Sequence, residues 1–293
     1  MSVSDGSPGL RYESHVAPVF RGVTPGVPEQ VDVSIVMPCL NEADALRDCI
    51  IEASTALMDL GLSGEVLVVD NGSSDGSIGI AMAAGARVVE EAERGYGNAC
   101  RRGLTEARGR FMVLGDADGT YDFTELPRFV TPLLNGADMV IGNRLNASME
   151  TGAMPWLHRR VGNPFLTWVM NTLFSSSIGD AHCGLRSITR QSLLRLTLSA
   201  PGMEFASEFL IEALQNDVRI DQVPIRYRLR HGGRPKLRTF RDGWRHLALL
   251  LSRWSKARRP AENDNRGAGL QSGVFGFPDL TGRGEPDADR IRL

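Results

Sequence analysis

Short apolar runs alternate with helix-like stretches along the first half of the chain. The run VSIVMP, Val33–Pro38, is typical of a buried parallel strand, and the residues after it are apolar at helical spacing until Gly61. Four more strands are predicted in the segments GEVLVVD, ARVVE, FMVLGDAD and ADMVIGNR. Because strand and helix alternate through these segments, we predict an α/β fold with a mainly parallel sheet.

The pattern changes from about Trp156 onward. Helices are predicted over WLHRRVGNPFLTWVMNTLF, GMEFASEFLIEALQND and FRDGWRHLALLLSRWSKARR, and an edge strand over the alternating segment RIDQVPIRYRLR. The first and last of these helices mix Trp, Leu and Phe with Arg and Lys. That composition suits a membrane interface, and it equally suits a helix that packs on the sheet and keeps a wet outer face.

Composition excludes several classes of protein. A net charge of −2 over 293 residues gives no general attraction to nucleic acid. The four cysteines form no CxxC pair, so neither a zinc knuckle nor a disulfide framework is indicated, and a reducing cytoplasm is the expected setting. The N-terminal residues are too polar for a signal peptide, and no apolar run reaches the length of a spanning helix.

Polar side chains follow four of the five predicted strands. Ligands of parallel sheets bind beyond the carboxyl ends of the strands, so these residues are the candidates for a binding site. They are Asn41 and Glu42, then Asp70, then Asp116 and Asp118, and finally Arg144. The alternative for each one is that it simply ends a strand or caps a helix.

The segment FMVLGDADGTYDF places three acids after an apolar strand. Asp116 and Asp118 are two residues apart on a predicted turn, which suits Mg²⁺ or Mn²⁺ held together with substrate phosphates. The third acid, Asp122, is as well explained as the cap of a helix that begins near Thr124. A dinucleotide-binding loop is disfavoured, because GYGNACRRG follows the third strand and has Cys100 in place of the third glycine.

An ordered set of motifs resembles the family 2 glycosyltransferases over about residues 31–250. Within that family, the chain is most similar to the hexosyltransferases that act on polyprenyl phosphate, of the dolichyl-phosphate type. The motifs are VSIVMPCLNEADAL, VLVVDNGSSDGS, GYGNACRRGL, VLGDADGTYD, VIGNRL, GDAHCGLRSITR, EFASEFLIEAL and VPIRYRLRHGGRPKL.

The resemblance implies a GT-A fold, a nucleotide-sugar donor and a divalent metal, Mg²⁺ or Mn²⁺. By motif position, the nucleoside pocket would be formed by Pro38, Leu40, Asn41 and Glu42, with Asp70 at the base edge. Asp116, Ala117 and Asp118 would contact the sugar diphosphate, and both aspartates would bind the metal. Thr120 stands where related enzymes often have a glutamine that contacts the metal.

Basic residues are the candidate phosphate ligands, because guanidinium binds phosphate through two hydrogen bonds. The resemblance places Arg144 and Arg230 near the phosphates, and Lys236 in a loop where Pro235 replaces the family's serine. Arg159 and Arg160 are candidates for the acceptor side, or belong to a solvated basic face. Asp180 is either an acceptor-side carboxylate or a helix cap, and for the neighbouring His182 we favour a structural role.

The sequence hypothesis is an inverting, metal-dependent hexosyltransferase at the inner face of the membrane, with a UDP- or GDP-sugar donor and a polyprenyl phosphate acceptor. A lipid phosphate is already anionic at pH 7, so no strong general base is required. The alternatives are a soluble acceptor and a non-catalytic nucleotide-sugar-binding protein; a homo-oligomer is compatible with each.

The expected organisation has four parts. We predict a flexible segment over residues 1–30, a GT-A catalytic domain over 31–238, a basic amphipathic helix over 239–259 and a disordered polar tail over 260–293.

Overall fold

The computed structural model describes residues 31–146, 148–232 and 239–257. The segments predicted to be flexible (1–30) and disordered (260–293) lie outside the described residues. The strands are β1 (Val33–Cys39), β2 (Gly64–Asp70), β3 (Arg87–Glu90), β4 (Phe111–Leu114), β5 (Met139–Asn143), β6 (Arg186–Thr189) and β7 (Ile220–Pro224). The helices are α1 (Ala43–Asp59), α2 (Ser77–Ala83), α3 (Tyr96–Glu106), α4 (Pro127–Leu134), α5 (Asn163–Phe174), α6 (Arg190–Leu193), α7 (Phe205–Gln215) and α8 (Thr239–Ala257).

The seven strands form one sheet in the order β3-β2-β1-β4-β6-β5-β7. All neighbouring pairs are parallel except those of β6, which runs antiparallel to both β4 and β5. The α/β fold with a mainly parallel sheet is therefore confirmed. The segment predicted as an edge strand supplies β7, which does lie at one edge of the sheet.

Strand β6 was not predicted from the sequence, and its composition explains why. Two of its four residues, Arg186 and Ser187, are polar yet buried. Arg186 Nη1 donates to the Ala206 carbonyl at 3.0 Å, and Ser187 Oγ donates to the Phe129 carbonyl at 2.9 Å. Because tertiary partners satisfy these groups, the strand needs no apolar run of the kind that signals a strand.

Helix α3 packs closely on the sheet at Gly103. A Cβ atom added there would collide with the Val36 side chain of β1 and would lie 2.8 Å from Cγ2 of Val69 in β2. The helix can therefore approach the two strands only because this position has no side chain.

Replacing Gly103 with alanine should lower the free energy of unfolding by about 1–3 kcal/mol, because the new methyl group overpacks the helix–sheet interface. Gly79→Ala is the matched control, since Gly79 also lies in a helix but no atom lies within 4 Å of an added Cβ. That change should be neutral or stabilising by up to about 1 kcal/mol. Chemical denaturation checks both values, and equal effects at the two sites would contradict the close packing.

The C-terminal helices form a layer against the body of the fold. One π-helical turn, His158–Gly162, leads into α5, and α8 packs against α5 and α7. Arg253 of α8 pairs with Glu208 at 2.6 Å and Glu212 at 2.7 Å, both on α7. None of the helices in the described part of the chain is both long and apolar enough to cross a membrane.

Candidate active site

The carboxyl ends of β1, β2 and β4 lie side by side. Cys39 at the end of β1 is paired with Asp70 at the end of β2, and Val36 is paired with Leu114 at the end of β4. The polar residues that follow these strands therefore share one edge of the sheet, as the sequence predicted.

The loops after β1 and β2 are tied together by side chains. Asn41, which adopts a positive φ of 54°, accepts a hydrogen bond from the Ser74 N–H at 2.7 Å and donates its own N–H to Ser73 Oγ at 2.9 Å. The buried Asp70 accepts the N–H groups of Gly72 at 2.8 Å and Ser73 at 3.0 Å. Asp70 thus shapes the loop that follows β2.

Pro38 lies within β1 and Leu40 follows its last residue, and both are half-buried. Ala117 is fully buried between the two aspartates that follow β4. The structure thus gathers all the residues predicted for the nucleoside pocket at one sheet edge.

The turn after β4 presents Asp116 and Asp118. Gly115 allows this turn, because a Cβ atom there would lie 2.8 Å from the ring of Phe123. Asp116 Oδ1 accepts a hydrogen bond from the Tyr96 hydroxyl at 3.0 Å. Asp118 Oδ1 accepts the backbone N–H of Thr120 at 3.0 Å and its hydroxyl at 2.6 Å. Thr120 therefore supports Asp118 rather than standing apart from it.

Burial raises the pKa of Asp116 to about 7, and the nearby Asp118 carboxylate adds to the effect. Tyr96, Arg144 and Arg230 act in the opposite direction. The carboxylates of Asp116 and Asp118 repel one another because they carry like charges on one turn. Binding of a cation to them would relieve this repulsion and stabilise the turn.

Arg230, which is 112 residues beyond Asp118 in the sequence, contacts this turn. Its Nη1 lies 2.6 Å from Asp118 Oδ2, and its Nη2 donates to the carboxylate of Glu42. The structure thus joins three of the predicted site residues in one ion cluster, which we call the Arg230 bridge.

Arg144 forms a separate, buried ion pair with Asp180. Its Nε donates to Asp180 Oδ2 at 2.7 Å and its Nη2 donates to Oδ1 at 2.9 Å. Burial alone would raise the pKa of Asp180, but the charge and hydrogen bonds of Arg144 hold that pKa below its usual value. The guanidinium is also stacked on Tyr227 and acts electrostatically on Asp116.

The remaining predicted residues belong to other elements or lie outside the described part of the chain. Arg159 and Arg160 are on the π-helical turn before α5, Arg159 half-exposed and Arg160 exposed. Lys236 lies outside the described residues. His182 Nε2 is 3.3 Å from Ser207 Oγ, and the His182 ring meets that of His246 edge-on, which supports its structural interpretation.

Asp122 caps a helical turn, which is one of the two roles that the sequence allowed for it. It accepts the N–H of Thr124 at 3.1 Å at the start of the 3₁₀ turn Phe123–Glu125 that leads into α4. Its other oxygen pairs with Arg228 at 2.7 Å.

Three residues near the aspartates were missed from the sequence. Tyr96 is the hydrogen-bond donor to Asp116, and Gly184 packs so closely that a Cβ there would lie 2.8 Å from Asp116 Oδ2. The Gly184 N–H also donates to the Tyr121 hydroxyl at 2.7 Å. Tyr96 could have been predicted, because it is the first residue of a helix that follows a strand, and ligands of parallel sheets bind at such ends.

The donor set at this edge fits a divalent metal that is shared with a ligand. The described residues contain no group of three His, Cys, Asp or Glu side chains arranged to hold a metal alone. Asp116 and Asp118 offer two hard carboxylates, which is the number that Mg²⁺ commonly takes from a protein when substrate phosphates and water complete its shell.

Proteins of similar sequence indicate the family of this chain. The model of the family "Glycosyl transferase family 2" matches residues 34–196. The "Low-salt glycan biosynthesis hexosyltransferase Agl6" of Haloferax volcanii is 42% identical over 220 residues, 75% of this chain and 53% of the relative. The chain thus spans about half the length of that relative. A "Dolichyl-phosphate hexose transferase" of the same organism is 32% identical, over 72% of this chain and 89% of the relative.

Solved structures show the same fold. Glucosyl-3-phosphoglycerate synthase from Mycobacterium tuberculosis, crystallised with Mn²⁺, UDP and glucosyl-3-phosphoglycerate, superposes with a TM-score of 0.60 at 28% identity. The match covers 77% of this chain and 80% of that one. The GT-A fold expected from the motifs is therefore confirmed, and the chain belongs to glycosyl transferase family 2.

Proposed function

We propose that this chain is an inverting, metal-dependent hexosyltransferase that moves a hexose from a UDP- or GDP-sugar to a polyprenyl phosphate. The observation that carries the proposal is the placement of Asp116 and Asp118 on one turn, beside Glu42 and Asp70 at the same sheet edge. Parallel sheets bind nucleotides at such an edge.

Each part of the donor has a matching group in this site. Pro38, Leu40, Asn41 and Glu42 would surround the nucleoside, with Asp70 beneath them, and Ala117 would let the backbone approach the diphosphate. Asp116 and Asp118 would hold Mg²⁺ or Mn²⁺. A bound divalent ion neutralises charge on the departing diphosphate. Arg230 is close enough to contact the same phosphates, and buried Arg144 adds positive potential at Asp116.

An acceptor phosphate needs positioning more than activation. It is anionic at neutral pH, so it can attack the anomeric carbon without a general base, and the carbon–oxygen bond to the diphosphate breaks as the new bond forms. Arg159 and Arg160 would draw the acceptor phosphate toward the site. We also propose that Lys236 binds phosphate and that Asp180 serves as a carboxylate on the acceptor side.

A lipid acceptor is supported by exposed apolar side chains that flank these arginines in the sequence. We call them the aromatic stripe: Trp156, Val161, Phe165 and Trp168, of which the two tryptophans are 70% and 62% exposed. Exposed tryptophan and phenylalanine side chains interspersed with arginine along one segment suit the headgroup region of a membrane. The name of the dolichyl-phosphate relative points to the same acceptor class. We place the enzyme at the inner membrane face, attached peripherally through this surface.

A soluble phosphorylated acceptor is the second candidate. The mycobacterial synthase that shares the fold has been crystallised with phosphoglyceric acid, which is a small phosphate-bearing molecule. A non-catalytic nucleotide-sugar-binding protein is a weaker alternative, because such a protein would have no need to keep two repelling carboxylates on the turn.

Transfer assays with UDP- and GDP-sugars, each with and without Mn²⁺, test the proposal. We expect metal-dependent transfer to a short polyprenyl phosphate in vesicles, and little transfer to phosphoglyceric acid. Transfer to phosphoglyceric acid alone would replace the lipid with the second candidate. The enzyme hypothesis fails if no donor turns over and no nucleotide binds in the presence of metal.

A further inference from the structure

All three donor groups of the Arg230 side chain are engaged. Nη1 lies 2.6 Å from Asp118 Oδ2, Nη2 donates to Glu42, and Nε donates to the carbonyl of Gly232 at 3.1 Å. The side chains of Glu42 and Asp118 are almost fully buried, and that of Arg230 is mostly buried. Water cannot readily replace a partner in an ion pair that is shielded in this way. Loss of one partner would therefore leave a buried charge uncompensated.

The two carboxylate oxygens of Asp118 have different partners, and the partner of Oδ2 is a side chain from outside the turn. Oδ1 is held by the backbone N–H and the hydroxyl of Thr120, within the same turn. Oδ2 is held by Arg230, which is 112 residues away in sequence. A metal that takes a ligand from Asp118 therefore gains Oδ2 most easily, and its positive charge would drive the Arg230 guanidinium away from that oxygen.

The guanidinium also balances the charge of the site. Its positive charge offsets the two carboxylates with which it pairs, those of Glu42 and Asp118. A divalent cation at Asp118 would repel the guanidinium, whereas a diphosphate beside that cation would attract it. One side chain thus has opposite effects on the two ligands.

We propose that Arg230 is an exchangeable counter-ion that couples the binding of metal and nucleotide. It opposes the binding of the metal alone, because the pair with Asp118 must break. It favours metal and nucleoside diphosphate together, because the released guanidinium pairs with the phosphates. The proposal rests on the proposed function for the identity of the ligands, and it adds the prediction that the two ligands bind with positive cooperativity.

Mn²⁺ binding to the full chain tests the coupling, with free Mn²⁺ measured by electron paramagnetic resonance. The probes are Mn²⁺ alone and Mn²⁺ with UDP, GDP or inorganic pyrophosphate. For Arg230→Gln we expect Mn²⁺ alone to bind on the order of tenfold more tightly, because one charge-assisted hydrogen bond need no longer break. We expect Mn²⁺ with a diphosphate to bind on the order of tenfold more weakly. The enhancement by diphosphate should therefore fall about 100-fold.

Arg228→Gln is the matched control. Arg228 lies two residues earlier and is similarly exposed, but it pairs with Glu52 at 2.8 Å and Asp122 at 2.7 Å. It should keep the wild-type Mn²⁺ affinities. Arg230→Lys, which cannot span both acids, should give intermediate values and serves if the glutamine variant does not fold, as judged by circular dichroism.

The outcomes separate this proposal from the proposed function. Unchanged or weaker binding of Mn²⁺ alone in folded Arg230→Gln and Arg230→Lys would overturn the counter-ion role, whatever the enzyme does. Tighter Mn²⁺ binding with no response to UDP or GDP would support the counter-ion role while removing those nucleotides as ligands. A response to pyrophosphate in that case would still establish the coupling to a diphosphate.

Discussion

Replacing Asp118 with asparagine should abolish metal-dependent donor binding and lower the transfer rate by roughly 10²–10³-fold. The change keeps Oδ1 as an acceptor for Thr120, so the turn should retain its shape. It removes the negative charge that would hold the metal, and loss of one preorganised electrostatic group at the reacting phosphates commonly costs about 10²–10³ in rate. Donor binding measured by calorimetry with and without Mn²⁺ checks the first part, and initial transfer rates check the second.

Asp122→Asn is the control for this variant, because Asp122 lies four positions further along the same segment. Its carboxylate caps the turn at Thr124 and pairs with Arg228. We expect a loss of about 1 kcal/mol in stability, because asparagine still caps the turn but no longer carries the charge that pairs with Arg228. The metal affinity should be unchanged. If Asp118→Asn bound the donor with Mn²⁺ as tightly as the wild type does, the two aspartates would be no more than a polar turn.

Replacing Arg144 with methionine should lower the free energy of unfolding by about 3–5 kcal/mol. The change leaves Asp180, whose side chain is fully buried, without its bidentate partner. For a folded unit of this size the loss corresponds to a fall of roughly 10 °C in Tm. Because Arg144 keeps the pKa of Asp180 below its usual value, the stabilisation is present above the unfolded pKa of about 3.9 and is lost as the pH falls through the lower folded value.

Two further variants separate the effect of burial from that of charge pairing in general. The double variant Arg144→Met with Asp180→Asn should recover most of the lost stability, because no unpaired charge remains buried. Arg219→Ala breaks the pair with Asp138, in which the arginine side chain is 72% exposed, and should cost less than about 1 kcal/mol. Thermal unfolding at pH 7 ranks the three variants, and an equal loss from Arg219→Ala and Arg144→Met would refute the argument from burial.

The strands were predictable where an apolar run or an alternating pattern marks them, and not where buried polar residues take the place of that pattern. Val33–Cys39 and Phe111–Leu114 are buried along almost their whole length, so hydrophobic runs mark them. Strand β6 carries a buried arginine and serine whose partners lie on other elements, and a local pattern cannot reveal such partners.

The same distinction applies to the site. Asp116 and Asp118 were predictable, because they follow a strand directly and are close in sequence. The pairing of Arg144 with Asp180 was not predictable. The sequence indicated both residues, but it assigned Arg144 to the phosphates and Asp180 to the acceptor side or to a helix cap. The Arg230 bridge also depends on tertiary folding, because it brings together residues that follow separate strands.

The long reach of the Arg230 bridge has a consequence for synthesis on the ribosome. Glu42 and Arg230 are 188 residues apart, so the acids emerge long before their cation does. At a typical elongation rate of about 5–20 residues per second, the site would stay unneutralised for roughly 10–40 seconds after Glu42 appears. The sheet around β1, β2 and β4 can form in that interval, but its acidic edge must remain hydrated. The cation that completes the site's charge balance is therefore synthesised after all seven strands of the sheet.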